Sequence, residues 1–165
     1  MLYPKNIDKF SFTAVDQRQK AVTAYKLGFN SKNPYPKGSY IIVNLNPDEI
    51  GPKDTSSVSK VTCSSNLQFQ IVCTFLQIDK LKIEGVIKED LIRNSYIELM
   101  ITNLENFVTS PLTTVSWKLT VYSGEDYFID QITEGLSVEF KCYAPCEDCA
   151  WDVLPPDPRY CRKCN

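Results

Sequence analysis

The sequence contains no histidine. Histidine is the most frequent general base and a very common metal ligand, so its absence excludes catalytic triads and metal sites that depend on imidazole. The chain also lacks a cluster of basic residues: 18 Lys and Arg and 20 Asp and Glu are interspersed, for a net charge of −2. Nucleic acid is therefore not an expected partner. We predict that the protein is not an enzyme, with no catalytic residues, no cofactor and no resident metal.

Long apolar runs are absent as well, so no direct membrane span is expected. The first residues include Pro4 and early charges and do not form the apolar stretch of a signal peptide. The 7 cysteines, in contrast, indicate an oxidising compartment. We therefore expect an extracellular or cell-surface protein, in which Met1 is not the start of the translated chain.

Apolar and polar residues alternate with a period of two along most of the chain, which is typical of antiparallel strands with one face in the core. Turn signals rich in proline, glycine and asparagine separate the alternating segments. Strands are predicted over 10–15, 22–29, 40–45, 67–75, 80–86, 97–101, 115–122, 127–132 and 136–140. The pattern predicts an all-β fold, an antiparallel Greek-key β-sandwich of the immunoglobulin-like kind. A closed barrel is the alternative.

The composition changes after residue 141. Residues 142–165 hold five cysteines and four prolines with little apolar patterning. Such a segment cannot form a hydrophobic core and needs cross-links. We predict a β-sandwich domain over 1–141 and a small disulfide-rich tail over 142–165.

Cys63 and Cys73 lie in phase with the inward-facing Val61 and Ile71, which favours a disulfide between them. Closing a loop of this length contributes roughly 3 kcal/mol. The alternative is a pair of free thiols, because a tight turn at residues 64–66 would place Cys63 opposite Leu67.

The tail carries two C-x2-C pairs, Cys146 with Cys149 and Cys161 with Cys164, so four sulfur atoms converge either on a zinc ion or in two disulfides. Disulfides are favoured because a four-ligand site has no use for Cys142 and the spacing between the pairs is short. We predict interleaved pairing, Cys146 with Cys161 and Cys149 with Cys164. Cys142 is then unpaired or forms an intermolecular bond.

Five further residues are candidates for binding or for the core. Trp151, in the tail, is a possible ligand or partner contact, although it could instead pack over the disulfides. Glu125, Asp126 and Asp130 form the densest acidic group, which we interpret as solvated charges near a turn. Trp117 lies on an apolar strand face and is predicted to be core.

The sequence resembles ciliate surface proteins, in which a β-rich module precedes cysteine-rich, furin-like repeats. The segments that carry the resemblance are N-P-Y-P-K-G-S-Y-I-I-V at 33–43, the pair Cys63 and Cys73, I-T-N-L-E-N-F at 101–107 with Ser110-Pro111, residues 127–130, and the closing C-Y-A-P-C-E-D-C and Y-C-R-K-C. The resemblance implies an exported protein of tandem modules without catalytic residues, and it makes the tail an incomplete furin-like repeat.

The leading functional hypothesis is a structural subunit whose β-sandwich modules assemble end to end, as a surface filament (a homopolymer) or a tandem array. The N-terminal segment, with Phe10, Phe12, Ala14 and Val15, is the predicted assembly segment, lent as an edge strand to the next subunit. Alternatively, it forms the first strand of its own domain. Two other hypotheses are a monomeric adhesin or lectin-like module that binds a glycan or surface partner, and an intracellular zinc-ribbon protein.

Overall fold

A computed structural model describes residues 3–16, 21–46, 50–52, 58–68, 70–106, 112–114, 117–133, 136–139, 146–149 and 161–164. The described strands are β1 Lys5–Asn6, β2 Phe10–Ala14, β3 Val22–Asn30, β4 Tyr40–Asn44, β5 Ile50–Gly51, β6 Cys63–Ser65, β7 Val72–Gln77, β8 Lys80–Glu84, β9 Tyr96–Asn106, β10 Leu112–Thr114, β11 Lys118–Tyr122, β12 Phe128–Ile132, β13 Ser137–Glu139, β14 Cys146–Cys149 and β15 Cys161–Cys164. One 3-10 turn covers Val58–Lys60.

Two sheets make up the sandwich. The six-stranded sheet has the order β1-β12-β11-β4-β8-β7, and the five-stranded sheet has the order β2-β3-β9-β5, with β6 also paired to β9. Two-stranded ladders join β10 to β13 and β14 to β15. The predicted all-β sandwich is confirmed. One pairing departs from the expected antiparallel pattern, because β1 runs parallel to β12.

Alternation along the strands builds the core between the two sheets. In β11, for example, Leu119 and Val121 are fully buried while Lys118 is exposed. An aromatic cluster joins the sheets: the Trp117 ring lies 5.0 Å from the Phe12 ring and 5.8 Å from the Tyr25 ring, centroid to centroid. Phe12 and Tyr25 come from β2 and β3 of the five-stranded sheet, whereas Trp117 directly precedes β11 of the other sheet.

The predicted strand over 67–75 is wrong in its first half. β6 belongs to the five-stranded sheet and β7 to the six-stranded sheet, so the chain crosses from one sheet to the other over residues 66–71. The polar–apolar alternation continues through this crossing, and alternation alone does not reveal that the chain changes sheets. Phe69, predicted to face inward, lies outside the described residues.

Trp117 is fully buried, as predicted, and its indole Nε1 has no hydrogen-bond partner in the described part of the chain. Trp117→Ala should lower the free energy of unfolding by about 3–5 kcal/mol, because it empties a large buried site. Trp117→Phe should cost clearly less, since it keeps a ring and removes the unpaired donor. Urea unfolding followed by circular dichroism measures both, with the exposed Tyr127→Ala as the control. A loss below about 1 kcal/mol for Trp117→Ala would contradict this packing.

Candidate interaction surfaces

The N-terminal segment (residues 3–15) closes one lateral side of the sandwich. β1 lies at the edge of the six-stranded sheet on β12, and the Ile7 backbone N–H donates to the carbonyl of Gln131 at 2.8 Å. The chain then crosses to the other sheet, where β2 pairs with β3. Ile7 is buried at the crossing point. One short segment therefore supplies an edge strand to each sheet.

The predicted assembly segment coincides with β2. Phe12 and Ala14 face the core, Phe10 is half-buried, and Val15 is exposed just after the strand. Within the single chain, β2 pairs with its own β3, Phe10 lying opposite Phe29 and Ala14 opposite Tyr25. The lending of this strand to another subunit stays a prediction.

A buried carboxylate lies under the N-terminal segment. Asp130 in β12 is fully buried. Its Oδ2 accepts hydrogen bonds from the Tyr35 hydroxyl at 2.7 Å and from the backbone N–H groups of Lys32 and Asn33 at 2.8 and 3.2 Å. Its Oδ1 accepts a bond from Asn33 Nδ2 at 3.0 Å. Four donors therefore replace the water that the carboxylate loses on burial, as a buried charge requires.

We call these residues the Asp130 cluster (Lys32, Asn33, Tyr35 and Asp130). The cluster also binds two backbone carbonyl groups, one in the N-terminal segment and one in β12. Asn33 Nδ2 lies 2.9 Å from the carbonyl oxygen of Tyr3 and 3.1 Å from that of Ile129. One side-chain amide thus contacts the N-terminal segment, β12 and the carboxylate together. The interpretation of Asp130 as a solvated turn charge is wrong, because its partners lie almost a hundred residues earlier in the chain, at 95–98 residues' separation. Glu125 and Asp126 are exposed, as predicted.

Titratable groups around the cluster respond to burial and to neighbouring charge. Burial, together with the charge of Asp130 and the hydrogen bond to it, raises the pKa of Tyr35 well above that of a free phenol. Lys32 points its ammonium group outward to Asp8 at 2.8 Å. That hydrogen bond lowers the pKa of Asp8, which is a surface carboxyl.

A disulfide closes the opposite lateral side. Cys63 in β6 and Cys73 in β7 are bonded, with their Cα atoms 6.0 Å apart. The predicted pairing is confirmed, and neither the tight turn at 64–66 nor the free-thiol alternative holds. The bond joins the two sheets covalently.

A row of aromatic side chains lies on the outer face of the six-stranded sheet. The rings of Tyr40 and Tyr122 are 5.4 Å apart, the Phe128 ring lies 6.1 Å from Tyr122, and the Lys82 ammonium lies 4.5 Å from the centre of the Tyr40 ring. The Tyr40 hydroxyl donates to Asp126, and this bond raises the pKa of Tyr40 to about 12. Sequence reasoning missed this row, although Tyr122 lies in phase with the polar residues Lys118 and Thr120 of its strand, which was a usable signal for an outward-facing aromatic side chain.

A pocket of about 190 Å³ adjoins the row. Its wall is mainly apolar and includes Pro34, Pro36, Tyr127, Phe128 and Ile129. Tyr127 is 68% exposed at its mouth. Ligand sites in proteins are commonly apolar and concave in this way.

The tail cysteines are described only by their backbone. β14 and β15 run antiparallel, with Cys146 opposite Cys164 and Cys149 opposite Cys161. The two C-x2-C pairs therefore lie on adjacent strands, whereas the interleaved pairing remains an untested prediction. Cys142 and Trp151 lie outside the described residues, as does the boundary at 141. Where the structure describes side chains, no three His, Cys, Asp or Glu are grouped so that they could hold a metal ion.

Comparison with known proteins gives structural neighbours only. No protein-family model and no curated protein matches the chain. A cohesin module from a family 33 glycoside hydrolase of Clostridium perfringens is 11% identical over 82% of this chain and 98% of its own, with a TM-score of 0.48. A non-cellulosomal cohesin of Archaeoglobus fulgidus is 10% identical over 83% and 93%, with a TM-score of 0.45. The major pilin subunit BcpA of Bacillus cereus is 6% identical over 81% and 40%, with a TM-score of 0.47.

Similarities of this size carry no argument about function. Separately, within the described ranges, no helix is long and apolar enough to cross a membrane.

Removing the Asp130 carboxylate should destabilise the sandwich strongly. Asp130→Ala takes the acceptor from the backbone N–H groups of Lys32 and Asn33 and from the Tyr35 hydroxyl, and we expect a loss of at least about 4 kcal/mol in the free energy of unfolding. Tyr35→Phe removes one bond to the carboxylate and should cost about 1.5–3 kcal/mol. Asp126→Asn, at an exposed carboxyl of the same region, is the control, and urea unfolding is the measurement. Equal midpoints for Asp130→Ala and Asp126→Asn would refute the role of the cluster.

Stability should fall at alkaline pH. Burial raises the pKa of Tyr25 and of Tyr35 above the unfolded value of about 10. Both phenols are therefore protonated in the folded state when the unfolded chain begins to ionise. Their contribution is complete below about pH 10 and is lost above it, by up to about 1.4 kcal/mol per pH unit for each phenol. Urea unfolding at pH 9 and at pH 11 tests this, and Tyr35→Phe should reduce the slope. An unchanged slope in that variant would count against the assignment.

Proposed function

We propose that the chain is a non-enzymatic, extracellular structural module whose β-sandwiches join end to end into a surface filament or a tandem array. The observation that carries the proposal is the N-terminal segment, which supplies an edge strand to both sheets at one lateral side. The segment of one copy could make the same contacts with β12 and β3 of another copy. Exchange of an identical element is a low-cost route to assembly, and a head-to-tail contact that does not close gives a fibre.

The Asp130 cluster is the receiving site in this proposal. It binds the segment through backbone atoms, by Asn33 Nδ2 to the Tyr3 carbonyl, and β12 adds a bond to the Ile7 N–H. Phe12 fills the aromatic site against Tyr25 and Trp117. A segment arriving from another copy would find the same acceptors, donors and apolar site.

The Cys63–Cys73 disulfide supports the extracellular setting, because structural disulfides are rare where glutathione keeps thiols reduced. It speaks against the intracellular zinc-ribbon alternative for the same reason. We further propose that the setting is the surface of a ciliate cell, on the strength of the sequence segments that resemble ciliate surface proteins.

A cross-link between β2 and β3 tests whether the strand is lent. Thr13 and Lys26 are exposed partners in the β2–β3 register. In the variant Thr13→Cys with Lys26→Cys, oxidised after concentration, a lent strand produces a ladder of covalent oligomers on a non-reducing gel. Thr13→Ser with Lys26→Ser is the matched control and should show no ladder. Cross-linking confined to single chains would show that β2 stays in its own domain, and monomers by negative-stain microscopy would overturn the homopolymer.

A second candidate function is a monomeric adhesin or lectin-like module. The aromatic row and the adjoining apolar pocket favour it, because exposed aromatic rings stack on sugars and anchor partners. Glycan-array binding that is lost in Tyr127→Ala, by a protein that stays monomeric, would support this function. Filament formation without any binding on the glycan array would favour the structural module.

A further inference from the structure

Strand β7 is an open edge of the six-stranded sheet. It pairs with β8 on one side, and on its other side no described strand pairs with it. Its inward residues Cys73 and Phe75 are only half-buried. An open edge is a row of unpaired N–H and C=O groups that can template another strand.

This edge lacks charge and proline, two of the features that usually prevent pairing. Residues 66–78 contain no charged residue, no proline and no glycine. On the outer face, Val72 is 62% and Leu76 is 53% exposed. Sheet edges in soluble proteins are generally protected by lysine, proline or a bulge. Here the register with β8 shifts once, between Phe75 and Gln77, and no described strand lies on the other side of residues 72–76.

The strand is also held in place before any partner arrives. Cys73 in its middle is bonded to Cys63 of the five-stranded sheet. A fixed strand loses little conformational freedom when a second strand is added, and preorganisation of this kind favours association.

We propose that β7 docks against β7 of a second copy of this chain, antiparallel and around a two-fold axis that passes through Thr74. In this register Val72 lies opposite the second copy's Leu76, so outward apolar residues meet outward apolar residues. A second copy fits because the uncharged stretch opposes itself without like charges, whereas a charged partner segment would find no counter-charge there. This inference rests on the proposed function as an assembly module, but it uses the lateral side opposite the N-terminal segment.

A charge-swap series tests the surface and the register together. Val72→Lys and Leu76→Glu should each weaken pairing at least tenfold in sedimentation velocity of the full chain. The combined variant places each new lysine opposite a glutamate of the second copy and should restore pairing to within about threefold of the unmodified chain. Val22→Lys is the matched control, because Val22 is an equally exposed strand valine, at 57%, in the other sheet.

Pairing that survives Val72→Lys would overturn the β7 surface, and failure of the combined variant to recover would overturn the Thr74 register. The two proposals are separable. If the cross-linked Thr13–Lys26 ladder forms but Val72→Lys does not change association in sedimentation velocity, only the β7 inference is refuted. Loss of pairing in Val72→Lys, with the cross-link confined within single chains, refutes only the lent strand.

Discussion

The buried carboxylate of Asp130 is the interaction on which the architecture at the N-terminal side depends. A charge in the interior is tolerated only when hydrogen-bond donors surround it. Here all the donors come from residues 32–35, which precede β4: two backbone N–H groups and the side chains of Asn33 and Tyr35. Those donors fix the chain that precedes β4 against β12, and Asn33 then reaches the N-terminal segment. Through one carboxylate, strands distant in sequence acquire a defined relative position that apolar packing alone would leave less specific.

The two lateral sides of the sandwich are closed by different chemistry. The side with β6 and β7 has a covalent bond, Cys63–Cys73, which keeps the sheets together whatever happens to the surrounding contacts. The side with β1 and β2 depends on hydrogen bonds and on the burial of Ile7 and Phe12. Opening is therefore far easier at the N-terminal side, since strand release there breaks only noncovalent contacts. The asymmetry is consistent with the two proposals, the exchange of strands at the N-terminal side and the docking edge at the other.

Much of the fold could be predicted from local patterning. Period-two alternation located β3, β9 and β11, and phase relative to Val61 and Ile71 located the disulfide. The crossing at 66–71 could not be predicted, because its residues continue the alternation while the chain changes sheets. The burial of Asp130 could not be predicted either. In the sequence it follows the exposed Glu125 and Asp126 closely, and only its distant hydrogen-bond partners around Tyr35 distinguish it from them. The parallel pairing of β1 with β12 could not be predicted, because a two-residue strand carries no local signal and its partner lies 125 residues later in the chain.

The parallel pairing of β1 with β12 has a mechanical consequence. When β1 is pulled at its N-terminal end and β12 is held at its C-terminal end, the two forces act along the strands in opposite directions, because the strands are parallel. The hydrogen bonds between them, including that from Ile7 to Gln131 and the side-chain bond from Gln131 to Asn6 at 2.9 Å, are then loaded together in shear. Bonds that share a load yield at a higher force than bonds that open one after another. A strand of only two residues is thus placed to resist tension that enters the module from the N-terminal side.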